Sequence, residues 1–227
     1  MAVITVFRQV GCKGRYIAEE LARALDYNFS DYRVAERLLL QHGFEQAPKV
    51  YQSTPDFWDH FTRRGLERDE VNHMLRSVTL AQAQHGNVVM LGRGCFGLLQ
   101  GLSDVINVRV KAPLEVRIAR VMSDKGLAEA EAITFVKEKD ELVADFARTS
   151  TGLSPDDCSL FDVIIDTGTV DPDAAVRFLV DVARSVAGGS QARPTAAQLQ
   201  VDPVIANAVS DEFGRLEHLR SEGYEVR

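Results

Sequence analysis

The chain has 227 residues, 45% of them hydrophobic, and a formal net charge of −7 from 26 basic and 33 acidic side chains. That length suits one large α/β domain, or one domain with an appendage, and the apolar content can fill a sizeable core. The acidic balance argues against a general nucleic-acid coat, and no apolar run approaches the roughly 18 residues of a membrane span.

Residues 3–25 read VITVFRQVGCKGRYIAEELARAL. This is an apolar strand over Val3–Phe7, a tight glycine turn, and an amphipathic helix with Ile17, Leu21 and Leu25 on one stripe. A short strand near Asn28–Ser30 follows, then a second helix marked by Val34, Leu38 and Leu39, with Ser30 or Asp31 as its N-cap. Residues 44–65 carry the only Trp and lack clean periodicity, so they read as an insertion over the sheet edge that could hold a substrate-binding lobe. A longer helix is expected over 66–85, ending at Gly86, followed by strands Val88–Leu91 and Val105–Val110. Pro113 opens a helix running to Lys125-Gly126, and a charge-rich helix covers 127–149. Val163–Ile165 is a further strand, and Val176, Leu179, Val180 and Ala183 mark the last core helix. Strands apolar on consecutive residues, alternating with helices, predict a doubly wound parallel sheet of about five strands. The segment 188–200, with GGSQARPTAAQ, reads as a linker. The tail, 201–227, carries one helix around Val204–Leu219 that docks on the main domain, on a second subunit, or on nothing.

Two turns stand out chemically. Arg8-Gln9-Val10-Gly11-Cys12-Lys13-Gly14-Arg15 combines glycines, which allow close backbone approach, with cations at a helix N-terminus. It is either a phosphate cradle or a tight turn whose cations face solvent. The pattern G-x-x-x-x-G-K-[ST] is not met: counting from Gly14, the first glycine is Gln9, the lysine is Arg15 and the Ser/Thr is Tyr16. Shifting the register by one puts Gly14 in the lysine position. The second turn is Gly92-Arg93-Gly94, directly after a strand, where an arginine points into the crevice at the sheet's C-terminal edge unless it is merely a surface residue. Arg117 and Arg120 share a helix face and suit either a lid over a transferring phosphoryl group or a solvated surface.

Other chemistries find little support. His42, His60, His73, His85 and His218 form no close ligand pair, and Cys12, Cys95 and Cys158 show no metal spacing, so no metal site is expected. The odd cysteine count fits a reducing compartment, and MAVITVF lacks the basic region of a signal peptide. A soluble, cytoplasmic protein with no nucleic-acid or membrane partner is expected.

Taken in order, strand–RQxGxxGR–helix, VVMLGRG, VRVKAPLEVRIARVM and SLFDVIIDTG resemble the cytidylate kinase-like family over about residues 1–187. This is a branch of the nucleoside monophosphate kinases within the P-loop fold. The resemblance implies a three-layer fold, a five-stranded parallel sheet with helices on both faces. It also implies a nucleoside-monophosphate lobe about 44–65 and a lid about 121–150. It assigns Arg8, Gly11, Lys13, Gly14 and Arg15 to the donor phosphates, and Arg93 and Asp145 to the acceptor. Arg15, Arg117, Arg120 and Arg148 are assigned to catalysis, Arg148 through the D-x-x-R pattern of DELVADFAR. The implied substrates are nucleotides, with ATP and Mg²⁺ acting on a CMP or dCMP acceptor; a homodimer or a tail-mediated partner stays open. Family members carry a GSGKG-type or SRQ-x-G-S-G-G-R-E loop, whereas this chain reads GCKGRY, with Gly14 where the lysine stands. That departure leaves open a non-catalytic nucleotide-binding or regulatory protein, or a small-molecule kinase with another acceptor.

Overall fold

Strand β1 (Val3–Arg8) is apolar at Val3, Ile4, Val6 and Phe7, and all four are buried, so it needs cover on both faces. It receives that cover as the central strand of the sheet in a computed structural model that describes residues 2–41, 68–186 and 193–221. The other strands are β2 (Asn28–Ser30), β3 (Val88–Leu91), β4 (Val105–Lys111) and β5 (Val163–Asp166), in the order β2-β3-β1-β4-β5. Every pairing is parallel, with Val3 opposite both Val88 and Val105. Parallel neighbours require crossovers, which the helices supply.

Successive side chains along a strand point to opposite faces, and this builds two layers. Ile4, Val6, Val89, Leu91 and Ile106 pack on one face against α1 (Gly14–Leu25) and α7 (Pro172–Val186), through Ile17, Leu21, Leu179 and Val180. Val3, Val88, Met90 and Val105 face the other way, onto α2 (Tyr32–Gln41) and α3 (Arg68–His85). The short helix α4 (Cys95–Leu98) follows β3 and brings Phe96 against Phe7 and Phe161. Helices α5 (Leu114–Lys125) and α6 (Glu129–Thr151) form an antiparallel pair beyond the sheet's C-terminal edge. The expected lid, about 121–150, spans the end of α5 and nearly all of α6. The expected insertion, about 44–65, lies outside the described residues.

The tail docks on the main domain. Helix α8 (Pro203–Ser221) inserts Ile205, Val209, Phe213 and Leu216 into the α2–α3 layer, with the Phe213 ring edge-on to His85 at 5.1 Å. Residues 193–200, the described part of the expected linker, are bonded in place rather than free. Pro194 O accepts from Ser103 N at 2.9 Å, Ala196 N donates to Asp104 Oδ1 at 2.7 Å, and Leu199 O accepts from Gln84 Nε2 at 2.8 Å. Glu212 of α8 is buried yet ionised between Arg37 Nε at 2.5 Å and Arg215 Nη2 at 2.8 Å. Burial works to raise this carboxyl, but the hydrogen bonds from Arg215 and Arg37 outweigh it and hold it below the usual glutamate value. Among the described residues, no helix is long and apolar enough to cross a membrane.

Two outcomes follow from this docking. Phe213→Ala is expected to destabilise the chain by about 3–5 kcal/mol in urea unfolding, the range for emptying a buried phenylalanine site; a change confined to a few tenths would mean the tail is not part of the core. Because the folded Glu212 carboxyl titrates below its ordinary value of 4.5, its contribution to stability is complete above that pH. It declines as the pH falls toward the folded pKa, and Glu212→Gln removes that part of the acid dependence.

Candidate functional site: two turns at the C-terminal edge of the sheet

The turn Gln9–Lys13 leaves β1 and becomes α1. Its carbonyls are held from behind: Gln9 O accepts from Cys12 Sγ at 2.9 Å, Val10 O from Arg117 Nη1 at 3.2 Å, Gly11 O from Arg120 Nη1 at 3.3 Å, and Cys12 O from Thr167 Oγ1 at 2.8 Å. A trans peptide points its N–H away from its C=O, so the amides of Gly11, Cys12 and Lys13 are directed away from these donors. Lys13 sits at the N-cap of α1 in the left-handed region, φ 59°, with no side-chain capping bond. The first turn of α1 contains no acid. An open helix N-terminus next to backbone amides favours an anion.

Gly11 is required by this arrangement. Its φ is +79°, and a Cβ there would lie 2.8 Å from Arg117 O. Arg117 is itself buried, donating through Nε to Ala112 O at 3.0 Å and through Nη1 to Asp140 Oδ2 at 2.5 Å. The second oxygen of Asp140 accepts from Val10 N at 2.8 Å, so α5, α6 and the turn are tied in one network. Arg120 donates to Thr167 O at 2.7 Å and to its Oγ1 at 3.0 Å. The sequence reading set Arg117 and Arg120 over the transferring group; in this structure both guanidinium groups are engaged behind the turn and shape its backbone.

The second turn follows β3. Gly92, Arg93 and Gly94 all have positive φ, 76°, 55° and 67°, so a non-glycine residue is held in the left-handed region. That costs about 1–2 kcal/mol and is tolerated where the surroundings impose it. Arg93 donates to Ser30 Oγ at 3.3 Å, while its buried Nε has no partner among the described residues. Arg8 and Arg15 converge on the same side. Arg15 pairs with Asp31 at 2.7 Å and with Glu19 at 2.7 Å, and its guanidinium lies 5.7 Å from the Phe29 ring centre.

The remaining assigned residues are elsewhere. Lys13 pairs with Asp124 of α5 at 3.3 Å in an exposed contact, which contributes no more than about 1 kcal/mol and is readily broken. Asp145 and Arg148 pair with each other on the surface of α6. Gly14 begins α1. Cys12 is buried, and burial pushes its thiol above the usual value, so it fills space rather than serving as a thiolate. Sequence reasoning gave no role to Asp140 or Thr167, whose partners are distant in the chain, and noted Asp31 only as a cap. Asp31 does accept from Arg33 N at 2.8 Å as the cap of α2, and only the fold reveals that it also holds Arg15.

A parallel sheet in the order β2-β3-β1-β4-β5, with a phosphate-type turn after its central strand, defines a P-loop kinase fold with an altered loop. The sequence profile of the cytidylate kinase-like family matches residues 3–169, and the chain belongs to that family. It is 29% identical over 181 residues to the cytidylate kinase of Pyrobaculum aerophilum, spanning 80% of this chain and 92% of that one. Identity to the cytidylate kinase of Pyrobaculum arsenaticum is 30% over 181 residues with the same shares. A crystal structure of an uncharacterized protein from Eubacterium ventriosum superposes with a TM-score of 0.65 at 16% identity, covering 82% of this chain and 99% of that one.

The Arg117–Asp140 tie is testable in a double-mutant cycle. Arg117→Met and Asp140→Asn are each expected to lower stability by about 1–3 kcal/mol. Their coupling should be about 0.5–3 kcal/mol by chemical denaturation, and strict additivity would show that the two do not share one network.

Proposed function

We propose that the chain is a nucleoside monophosphate kinase that transfers the γ-phosphoryl group of ATP to a CMP- or dCMP-type acceptor. The observation that carries this reading is the pair of anion-ready turns on adjacent strands: the open amides and helix N-terminus after β1, and the left-handed Arg93 turn after β3. Family membership and the cytidylate kinase relatives support the same chemistry. Phosphoryl transfer asks the protein to align two phosphates and stabilise the charge between them, not to supply a nucleophile. The backbone of Gly11–Lys13 and the start of α1 take the donor phosphates, with Lys13 swinging from Asp124 to join them. Arg93 takes the acceptor phosphate. Arg117, Arg120 and Thr167 hold the turn's carbonyls back, so that its amides stay presented to the donor.

Mg²⁺ arriving with the triphosphate would supply neutralisation of the developing charge. The described residues include no group of three metal-ligating side chains, and Tyr16, in the hydroxyl position of the usual motif, is bonded to Asp173. Among the described residues the donor set offers no cage for a resident ion, and no step is assigned to one.

A second reading is favoured by one observation. Gly14 or Arg15 stands where the loop lysine is expected, and Arg15 is engaged by Asp31 and Glu19. On that reading the protein binds nucleotides without turnover. A coupled assay of ADP release over CMP, dCMP, UMP and AMP separates the two. Turnover is expected with CMP or dCMP as acceptor, and Arg93→Ala should lower its kcat/KM by about 10–100-fold. Turnover no higher than in the Arg93→Ala control, with calorimetric binding of nucleotide retained, would establish the second reading instead.

A further inference from the structure

Arg8 ends the central strand, half-buried beneath the mouth of the fold. Among the described residues its guanidinium makes no hydrogen bond and no ion pair. Burial pulls its pKa below the ordinary arginine value, and Arg15 and Arg93 add repulsion. An arginine in such a position is normally paired, because a partly desolvated charge without a partner is unfavourable. The chain makes room for it nonetheless. Gly92 has φ +76°, and a Cβ there would lie 2.7 Å from Arg8 Nη1. The guanidinium therefore rests against the backbone of the Arg93 turn, while the stem of the side chain lies against Gly14 at the start of α1, where a Cβ would be 2.5 Å from Arg8 Cβ.

Arg15 is also directed to this side, toward Asp31 at the end of β2. The Arg93 guanidinium reaches Ser30, the residue before Asp31, and its Nε is buried without a partner. Three cations thus gather near Asp31, and because Glu19 also pairs with Arg15, two carboxylates face three guanidinium groups and one positive charge is left in excess. That excess, with the unpaired guanidinium of Arg8 and the unpartnered Nε of Arg93, favours a phosphate anion, and planar guanidinium groups suit its oxygens.

We propose that Arg8, Arg15 and Arg93 form a single site for the dianionic phosphate of a phosphomonoester acceptor, with Asp31 as the residue that positions Arg15. Arg8 and Arg15 then serve the acceptor rather than the donor triphosphate to which their place in the loop motif assigns them. The inference rests on the kinase reading for its name of acceptor, but its chemistry requires only a phosphomonoester.

The test measures binding of CMP, cytidine, orthophosphate and ATP to the full chain by calorimetry, alongside thermal unfolding. Arg8→Met is expected to weaken CMP and orthophosphate by about 10–100-fold and to leave cytidine and ATP unchanged. It should also raise the unfolding temperature of the unliganded protein, because an unpaired charge has been replaced by an apolar chain of similar length. A purely structural arginine would lower it. Arg8→Lys keeps the charge, and should fold and retain more CMP affinity than Arg8→Met; it carries the test if Arg8→Met does not fold. Weakened ATP binding with CMP unaffected would overturn the proposal and leave the kinase reading intact. Binding that follows the expected pattern without phosphoryl transfer would uphold the site and remove the kinase reading. Failure of the wild-type chain to bind either CMP or orthophosphate would overturn the site.

Discussion

The turn after β1 has to keep its backbone amides available while lying at the centre of the sheet's edge, and four consecutive carbonyls must therefore find donors on the other side. Cys12, Arg117, Arg120 and Thr167 supply them. A polar backbone group covered without a partner is unfavourable, so these donors set the shape of the turn as much as its glycines do. Much else follows from this requirement. Helix α5 must approach closely enough that only glycine fits at position 11, and α6 must bring Asp140 to neutralise Arg117. The end of β5 must deliver Thr167 to the back of the turn. Arginines that look like lid residues are thus part of the foundation of the loop.

Charge is distributed to complement that scaffold. The chain is acidic overall, with a formal charge of −7, but the mouth of the sheet gathers Arg8, Arg15 and Arg93 near Asp31, with Glu19 as the second carboxylate on Arg15. Local arrangement, not net charge, sets the potential that a ligand meets. The strain at Arg93 and the desolvation of Arg8 both concentrate at this edge, where unfavourable backbone and charge states tend to be retained for binding.

The tail completes the opposite layer. Without α8, the apolar faces of α2 and α3 around Leu38, Leu75 and Val78 would lose Ile205, Val209, Phe213 and Leu216 as cover. Arg37 links this contact to α2 through buried Glu212. Since α2 leads directly into residue 42 and beyond, the tail braces the root of the segment read as the acceptor lobe.

Local pattern by itself determined the strand–helix alternation, the extents of β3 and α5 to within a residue or so, and the doubly wound parallel class, because runs of apolar residues and helix caps are short-range properties. It also singled out both turns, since glycine next to arginine after an apolar strand is visible without coordinates. Tertiary structure alone decided where the side chains go. Arg117 and Arg120 share a helix face in either reading, yet only packing against Gly11 and Thr167 puts them behind the turn. Arg8 and Arg15 flank the loop glycines in the sequence, yet the open space at Gly92 and the carboxylate of Asp31 draw them to the neighbouring strand. Asp140 contributes through a contact with Val10, 130 residues away in the chain. Spacing along a chain sets which residues share an element; which partner a long, flexible, charged side chain reaches depends on what other elements bring within a few ångströms.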